Sequence, residues 1–596
     1  MLMDERFSRL LAQTCTVGCL LGGTATAYLL FGLAGYVGSP ALNFAMAIAL
    51  AAALGFFFYE FSISATGSGW AGWSIWTALL VILITELLLG LLPPISRDEL
   101  THHLAIPKLY AKAGRIVEVP MAPYAYYPML VDMLFTPWLY WGYDFVPKWI
   151  HALYGQLTGL LLYAYLAQRM STIYGLLGWL FFASTPVVLR LSHWGYVDLA
   201  LAFYTSAALL CLIKWREARG PNRWLRLAGL SLGFGLATKP NGLVAALLIA
   251  LLFLLAMAKP PRQPFKVAVR EMINLGALTL LPYLPWLVKN GWQTGNPFFP
   301  FFASWFGAGA SVVAQESVNF AGVGIFDKRE LLFGESAWQI AALPVRIFFT
   351  GQDDHAQYFD GVLTPILILF LPWAFRGKWL EDKRLLGGFA LLFLLFAVVL
   401  VDMRIRYILS IVPPLAALLV FGVFNLYIRV RRPLFLFAVL FAFAVWHGAY
   451  LWRYVAEAKP AGFLSGSVSR ARYLVDRLPE YAAFQHVNRA TAESAKIYLL
   501  FVGRRAYYCE RNYFHDGGDL PGFLLAAIRS AKSGDEIGRA LAQKRITHLL
   551  AREDLLVRFL ANNLQPEQGR VWNEFAERKL KLNFRARGYA VYEVNE

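Results

Sequence analysis

The chain has 596 residues, of which 58% are hydrophobic and 16% are charged, and its mean hydropathy is +0.50. An average soluble domain has about 25% charged residues and lacks repeated long apolar runs, so this composition excludes a wholly soluble protein. The formal net charge is +17, but lysines and arginines form short clusters between apolar runs. That distribution argues against a nucleic-acid partner and is typical of a membrane protein.

Apolar runs recur from the N-terminal region to about residue 452. A membrane-spanning helix needs about 20 apolar residues, and thirteen runs come close to that length. The sequence therefore predicts an α-helical polytopic membrane domain over residues 1–455 with about 13 transmembrane helices, the first of them uncleaved. The predicted spans lie near 14–37, 41–60, 71–93, 149–167, 172–189, 196–213, 224–239, 241–258, 272–288, 361–375, 385–401, 406–428 and 433–452.

A further run, PMLVDMLFTPWLYW at 128–141, is short, rich in aromatic residues and contains Asp132 and two prolines. Aromatic side chains are enriched where a membrane meets water, so we expect this run to lie in the interface.

The basic residues between spans predict the topology, because loops on the cytoplasmic side carry an excess of lysine and arginine. With a cytoplasmic N-terminus and thirteen spans, every strongly basic short loop falls on the cytoplasmic side. The outer side then receives the first large loop at 94–148 with interfacial helices, the second loop at 289–360 and the C-terminal unit. The cytoplasmic basic residues are Arg169, Lys214, Arg216, Arg219, Arg223, Arg226, Lys259, Arg262, Lys266, Arg270, Arg376, Lys378, Lys383, Arg384, Arg429, Arg431 and Arg432.

The C-terminal unit, residues 456–596, is more charged and has no long apolar run. The segments AKIYLLFVG, RAYYC, ITHLLAR and YAVYEV are typical of strands, whereas LPGFLLAAIRSA and SGDEIGRALAQK are typical of helices. The alternation predicts a small extracytoplasmic α/β domain. It contains no glycine-rich nucleotide motif and no zinc-type spacing.

The first candidate site is the sequence Arg97-Asp98-Glu99, directly after a predicted span. Asp98 and His102 are four residues apart and would share a helix face at the membrane surface. The alternative is structural, because acidic residues are also favoured in the first turn of any helix.

A second group of charges lies at the outer ends of predicted spans: Asp198, Lys239, Arg404 and Arg406. Lysine and arginine at helix ends often only extend their charge toward the interface. A carboxylate within a membrane span is costly and usually functional, however. Cations and carboxylates on one face indicate a site for an anionic headgroup with a catalytic acid or base beside it.

Several motifs along the chain are similar, in kind and in order, to those of the GT-C glycosyltransferases. They are the Asp98-Glu99 pair, YAYYPML from Tyr124, VDLA from Val197, GLATK ending at Lys239, TGNP from Thr294, and RIRYILSIVPP from Arg404. The resemblance covers about residues 70–452. It is strongest in style to bacterial aminoarabinose transferases and protein O-mannosyltransferases.

This resemblance implies an inverting enzyme that uses a polyprenyl-phosphate sugar donor at the outer face of the bacterial inner membrane. Asp98 corresponds to the catalytic base, with Glu99 beside it, and Lys239 to a contact of the donor phosphate. Arg404 or Arg406 corresponds to a second phosphate contact, and Asp198, His102, His103 and Tyr407 are further candidate site residues. The implied acceptor is lipid A, another envelope glycan or a protein.

No cofactor is predicted. A divalent metal at His102 and His103 has little support, because adjacent residues on a helix point to different faces, so a hydrogen-bonding role is favoured. Asp353, Asp354 and His355 could also form a metal cluster, although a solvated loop is the simpler interpretation. The Phe- and Gly-rich loop around them is either an aromatic belt or a flexible cover.

Three other classes of protein fit parts of the pattern. A polysaccharide polymerase or ligase would also use a lipid-linked donor and a large external loop. A secondary transporter would have similar spans, but its charges gather at the membrane midplane and its halves repeat. A scaffold protein would not need Asp98, Lys239 and Arg406 on one face.

Overall fold

The computed structural model describes residues 2–66, 69–218, 223–258, 264–302, 304–306, 325–400, 403–429, 433–518 and 520–595. Part of the predicted second external loop falls outside these ranges. Five basic residues used for the topology prediction also lie outside the described residues: Arg219, Lys259, Arg262, Arg431 and Arg432.

The membrane part consists of helices of very different lengths. Its α-helices are α1 Leu2–Leu33, α2 Pro40–Ile63, α3 Gly69–Gly90, α4 Ala105–Ala113, α5 Leu130–Tyr140, α6 Val146–Arg169, α7 Thr172–Ala183, α8 Pro186–Leu191, α9 Asp198–Ala218, α10 Arg223–Thr238, α11 Gly242–Ala258, α12 Phe265–Leu280, α13 Leu284–Thr294, α14 Ile325–Phe333, α15 Ala337–Ala341, α16 Leu343–Arg346, α17 Ile366–Leu369, α18 Leu371–Ala374, α19 Leu380–Leu400, α20 Val412–Tyr427 and α21 Leu434–Ala458. A π-helical turn at Glu99–His103 and 3₁₀ turns at Pro123–Tyr126 and Ile405–Ile411 complete it.

Six helices of the described chain are long and apolar enough to cross a membrane, or seven if α12 and α13, which meet at a 52° bend, form one span. The protein is thus a multi-pass membrane protein, but the predicted count of about 13 spans is not confirmed. Prolines explain part of the difference, because they interrupt helical hydrogen bonding. The predicted span 172–189 divides into α7 and α8 before Pro186, and 361–375 contains only two four-residue helices.

The helices form a buried centre and a lipid-facing periphery. The most apolar stretch of α9 is completely buried and that of residues 405–427 is 89% buried, whereas that of α21 is 17% buried. The centre is closely packed: a Cβ at Gly159 of α6 would lie 2.0 Å from the Trp179 ring of α7. Small residues at such crossings allow helices to approach closely in membranes.

The segment 128–141, predicted to lie in the interface, forms α5 inside the bundle. Residues 130–137 are all buried, and the Asp132 carboxylate is 1% exposed. The polar carboxyl group is accommodated there because His103 Nδ1 lies 2.8 Å from Asp132 Oδ1. The location of this segment in the interface stays a prediction, but its side chains pack against protein, and the partner of Asp132 comes from a distant part of the sequence.

The C-terminal unit is a small α/β domain, as predicted. Its helices are α22 Pro460–Leu464, α23 Arg470–Arg477, α24 Tyr481–Ala490, α25 Gly522–Ser530, α26 Gly534–Gln543, α27 Glu553–Asn563 and α28 Pro566–Lys579. Its strands are β1 Lys496–Leu500, β2 Asn512–Phe514, β3 His548–Arg552, β4 Leu580–Ala586 and β5 Tyr589–Val594, in the order β2-β1-β3-β5-β4. β1 is parallel to β2 and β3, whereas β5 is antiparallel to β3 and β4.

The strand predicted for RAYYC is wrong. These residues form turns, and their two tyrosines contact the membrane domain: Tyr507 N donates to Leu100 O at 3.2 Å and Tyr508 Oη donates to Pro94 O at 2.7 Å. Aromatic residues favoured in strands serve here as an interdomain contact. Nothing in their local pattern distinguishes the two uses.

Candidate active site

The segment after α3 is held in place by Glu99. Its side chain is fully buried, and its two carboxylate oxygens accept hydrogen bonds from Gly195 N at 2.6 Å and Ser96 N at 3.0 Å. The turn that follows is π-helical, with Leu104 N donating to Glu99 O at 3.1 Å. Such turns are frequent at functional sites. Glu99 thus fixes the backbone on which Asp98 is carried.

Asp98 faces a cavity and is paired with a distant arginine. Arg406 Nη1 donates to Asp98 Oδ2 at 2.5 Å, and Asp98 N donates to Tyr196 Oη at 3.2 Å. Burial raises the pKa of the Asp98 carboxyl, but the Arg406 guanidinium outweighs this effect and holds that pKa well below its usual range. Asp98 is therefore ionised at neutral pH.

The two histidines of the turn lie together, contrary to the prediction that they point apart. Their ring centroids are 4.1 Å apart, and both rings line the same cavity. His102 stacks on Tyr124 with ring centroids 4.6 Å apart, and His103 contacts Asp132. Burial lowers the pKa of His102 to about 3 and that of His103 to about 4, so both are neutral at pH 7. Their hydrogen bonds agree with the predicted hydrogen-bonding role.

Asp198 and Lys239 meet at the ends of two helices. Asp198 is the first residue of α9, Lys239 follows the last residue of α10, and Lys239 Nζ donates to Asp198 Oδ1 at 2.6 Å. The start of α9 is satisfied by His151, whose Nε2 accepts from Leu199 N at 2.9 Å. An N-terminal backbone amide without such a partner would be costly in a buried position.

The 3₁₀ turn at Ile405–Ile411 carries the remaining cations. The Arg406 guanidinium lies 5.3 Å from the Tyr196 ring centroid and 5.1 Å from that of Tyr407, and Lys239 Nζ lies 5.0 Å from Tyr407. Arg404 Nη1 is 3.6 Å from Asp360 Oδ2. The Tyr407 ring therefore contacts two cations, and an aromatic ring face stabilises positive charge.

Two cavities meet at this cluster. The first has a volume of about 480 Å³ and the second about 450 Å³, and Arg97, Asp98, Arg404 and Arg406 line both. Five cationic side chains line the first cavity, against two carboxylates. The cations are Arg97, Lys239, Arg404, Arg406 and Arg504, and the carboxylates are Asp98 and Asp132. This excess of positive charge suits an anionic ligand.

The structure brings most of the predicted residues together. Asp98, His102, His103, Lys239, Arg404, Arg406 and Tyr407 all line the first cavity. Asp198 is buried behind Lys239, and Glu99 holds backbone amides outside both cavities. Asp132, Tyr124 and Arg504 also line the first cavity but were not among the predicted site residues. In the sequence, Asp132 gave a signal as a carboxylate inside an apolar run and Tyr124 as the first residue of the YAYYPML motif, whereas Arg504 gave none.

The acidic loop residues Asp353 and Asp354 contact an arginine. Arg190 Nη1 donates to Asp353 at 3.0 Å and to Asp360 at 3.2 Å, and Arg190 Nη2 donates to Asp354 at 2.6 Å. Among the described residues, no group of three or more histidines, cysteines or acids is arranged to hold a metal ion. The carboxylates of Asp353 and Asp354 instead bind Arg190 and so connect the loop to α8.

An ionised carboxylate between two cavities, one of them with an excess of cations, is suited to act as a base beside a ligand that carries negative charge. Residues 97–296, about a third of the chain, match the family model described as dolichyl-phosphate-mannose-protein mannosyltransferase. The matched segment contains Asp98, Asp198 and Lys239. No curated protein matches the chain.

Solved structures with a similar fold include ArnT from Cupriavidus metallidurans in the apo state, with 13% identity, 88% of this chain and 98% of that chain covered, and a TM-score of 0.52. The same protein bound to undecaprenyl phosphate gives 14% identity, the same coverage and a TM-score of 0.49. The apo oligosaccharyltransferase of Archaeoglobus fulgidus gives 12% identity, 80% and 70% coverage, and a TM-score of 0.42. The family match and the ArnT-like fold support the class that the sequence predicts, a GT-C membrane glycosyltransferase.

Proposed function

We propose that this chain is an inverting glycosyltransferase that moves a sugar from a polyprenyl-phosphate donor to an acceptor hydroxyl. One observation carries the proposal: Asp98 contacts Arg406 in the wall shared by two cavities. Such a transfer needs a base beside the acceptor and cations beside the departing phosphate, within reach of one sugar carbon. The shared wall supplies both groups.

The first cavity is proposed to bind the donor. A lipid phosphate out of water needs charge-assisted donors, and Lys239 and Arg406 both lie within 5.1 Å of the Tyr407 ring centroid there. Phe301 and Met129 add apolar surface to the same cavity for the first prenyl units. ArnT from Cupriavidus metallidurans has been solved bound to undecaprenyl phosphate, which supports the same class of donor.

In the proposed reaction the acceptor oxygen attacks the anomeric carbon of the donor sugar. The acceptor O–H bond breaks and its proton passes to the Asp98 carboxylate. The bond between the anomeric carbon and the phosphate oxygen breaks at the same time, and the polyprenyl phosphate leaves with the electron pair. Lys239 and Arg406 neutralise the charge that develops on this phosphate. Attack opposite the leaving group inverts the anomeric centre.

Arg406 would link donor binding to base strength. In the structure its guanidinium lowers the pKa of Asp98, which makes the carboxylate a weak base. A donor phosphate would compete for the same guanidinium, and any loss of the Asp98–Arg406 contact raises that pKa. Asp98 would therefore become an effective base only when the donor is bound.

The second cavity is proposed to admit the acceptor. Trp194, Tyr454 and Asp354 line it together with Asp98, a combination of aromatic and polar groups that suits a glycan, a lipid headgroup or a protein side chain. A polysaccharide polymerase or ligase would use the same site and stays as the alternative. A secondary transporter is disfavoured, because Asp198 and Lys239 stand at helix ends and not at mid-helix.

The site is proposed to face the outside of the bacterial inner membrane, with the N-terminus in the cytoplasm. Arg169, Lys214 and Arg216 lie at the ends of α6 and α9 opposite the site, as expected for the cytoplasmic side. Reporter fusions after Arg226 and at the C-terminal end of the domain should report opposite sides of the membrane. Two cytoplasmic signals would contradict the proposed orientation.

The function can be tested with membranes from a deletion strain that express either the native protein or the Asp98→Asn variant. Radiolabelled sugar on polyprenyl phosphate should pass to envelope material only with the native protein, and mass spectrometry of envelope glycans and glycoproteins should identify the acceptor. Equal transfer in the deletion strain and the complemented strain would disprove the proposal.

A further inference from the structure

The C-terminal domain supplies one of the five cations of the first cavity. Arg504 lies in the loop after β1 and lines this cavity with Lys239 and Arg406. Its guanidinium carbon is 5.8 Å from the ring centroid of Tyr124, the residue that stacks on His102. A residue of the extramembrane domain thus faces the cavity in which the donor is proposed to bind.

The loop that carries Arg504 has an unusual backbone. Arg504 has φ of 60° and Phe501 has φ of 56°, both in the left-handed region that non-glycine residues rarely adopt. Strained backbone of this kind persists only where the surrounding structure enforces it, and it clusters at functional sites. Arg504 Nη1 also donates to Gly517 O at 2.6 Å, which directs the side chain.

The domain is docked on the same segment that carries Asp98. Besides the contacts of Tyr507 and Tyr508, Lys108 Nζ donates to Tyr507 O at 2.9 Å and to Glu510 Oε1 at 2.5 Å. Tyr507 Oη also donates to Asp144 Oδ2 at 3.2 Å. Because these contacts fix the domain beside the segment 94–112, the position of Arg504 relative to Asp98 is also fixed.

We propose that Arg504 is a donor-binding residue, whose guanidinium binds the phosphate of the polyprenyl-phosphate sugar together with Lys239 and Arg406. The inference rests on the proposed function, because it takes the donor to occupy the first cavity. It makes the C-terminal domain part of the active site. A planar guanidinium suits this role, since it can offer two parallel hydrogen bonds to one phosphate.

The test compares purified full-length variants for binding of undecaprenyl phosphate in detergent, with undecaprenol as the ligand that lacks the phosphate. Arg504→Gln should raise the Kd for undecaprenyl phosphate about 10-fold or more, the usual range for one charge-assisted bond, and leave undecaprenol binding unchanged. In transfer assays KM for the donor should rise more than kcat falls.

Arg505→Gln is the matched control. Arg505 is the neighbouring residue, but its side chain contacts Glu480 inside the domain at 3.0 Å. This variant should lower the Tm while its Kd stays within about 2-fold of the native value, which separates domain stability from phosphate binding. If Arg504→Gln does not fold, Arg504→Lys decides, with an expected loss of about 3-fold because lysine lacks the planar fork.

The outcomes separate this inference from the proposed function. A native Kd for undecaprenyl phosphate in the folded Arg504 variant, with weakened binding in Lys239→Met, would overturn the role of Arg504 alone. Failure of the native protein to bind undecaprenyl phosphate would overturn the donor assignment and this inference together.

Discussion

At one end of the helix bundle Asp98 faces Arg406, and at the opposite end Asp382 contacts Arg169 and Arg216. Arg169 Nη2 is 2.8 Å from Asp382 Oδ2, Arg216 Nη2 is 2.6 Å from Asp382 Oδ1, and Tyr165 Oη donates to Asp382 at 3.0 Å. Both clusters thus combine a carboxylate, arginine and tyrosine at helix ends.

The two carboxylates differ in what surrounds them. The Asp382 side chain is 4% exposed and bonded on both oxygens, whereas that of Asp98 is 19% exposed and opens on two cavities. A carboxylate enclosed by its partners mainly holds helices in register, and removing it leaves buried charges unpaired. A carboxylate beside a cavity with excess cations can react with a ligand. The same residue types therefore serve stability at one end and chemistry at the other.

Asp98→Asn should produce the largest effect, which is on the transfer rate. Asparagine keeps the size of the side chain and removes its basicity, and a positioned base typically contributes about 10²–10⁴-fold. Transfer should fall by that factor while undecaprenyl phosphate still binds at least as tightly as to the native protein, because the Asp98 carboxylate no longer competes with the phosphate for Arg406. Transfer within 10-fold of native, measured at saturating donor, would remove Asp98 from the role of base.

Asp382→Asn should instead lower the stability of the protein and leave the transfer rate unchanged. Two half-buried arginines lose one carboxylate partner, but Arg169 keeps Glu217 and Arg216 keeps Glu381. The loss of stability should therefore be smaller than the about 3–5 kcal/mol of a fully buried ion pair that is broken. The Tm in detergent and the yield of folded protein should drop, but the rate per folded molecule should stay near native. A fall in kcat without a fall in Tm would contradict the inference that Asp382 serves stability and Asp98 serves catalysis.

Lys239→Met tests the cationic side of the site. Methionine retains the apolar stem, so the lost charge should dominate over any packing defect. Binding of the donor should weaken about 10–100-fold and transfer should slow, because the phosphate gains charge as the glycosidic bond breaks. Lys214→Met is the control. Lys214 lies near the end of α9 that is far from Asp198, so this change should leave the Kd for the donor unchanged.

The smallest expected effect is a pH dependence of stability due to His102. Burial lowers its pKa to about 3, whereas an unfolded histidine titrates near pH 6.5. Below pH 6.5 the unfolded chain binds the proton and the folded one does not, so the stabilisation present above that pH is lost as pH falls. By pH 5 the loss should reach about 1–2 kcal/mol. Thermal unfolding of His102→Gln should show a smaller drop between pH 7 and pH 5, and an equal drop would contradict the assignment.

The sequence was sufficient for the membrane domain, the C-terminal α/β domain and seven of the twenty residues that line the first cavity. Their placement together at the outer ends of predicted spans, and their positions in the family motifs, made Asp98, Lys239 and Arg406 visible without any contact information. The number of spans was not predictable from apolar runs, because buried helices are apolar at any length. The interruption of the helix before Pro186 is visible only in the structure.

Contacts between distant segments were also beyond the sequence. Nothing in the pair Asp98-Glu99 indicates that one carboxylate faces a cavity and the other binds two backbone amides. Arg504 stands in a polar domain with many arginines, so its entry into the cavity depends on how that domain docks. Pairing of His103 with Asp132 likewise depends on the packing of α5.

The separation of Asp98 and Arg406 along the chain has a consequence for biogenesis. The two residues are 308 positions apart, and the docking contacts of Tyr507 lie still further along. At a translation rate of about 5–20 residues per second, Asp98 waits about 15–60 s for the arginine that neutralises it. While the intervening helices insert, the nascent protein therefore carries Asp98 without its arginine partner. The site is complete only after the segment that carries Arg406 has been synthesised. Under the proposed function, a chain whose synthesis is incomplete would not react with a lipid-linked sugar.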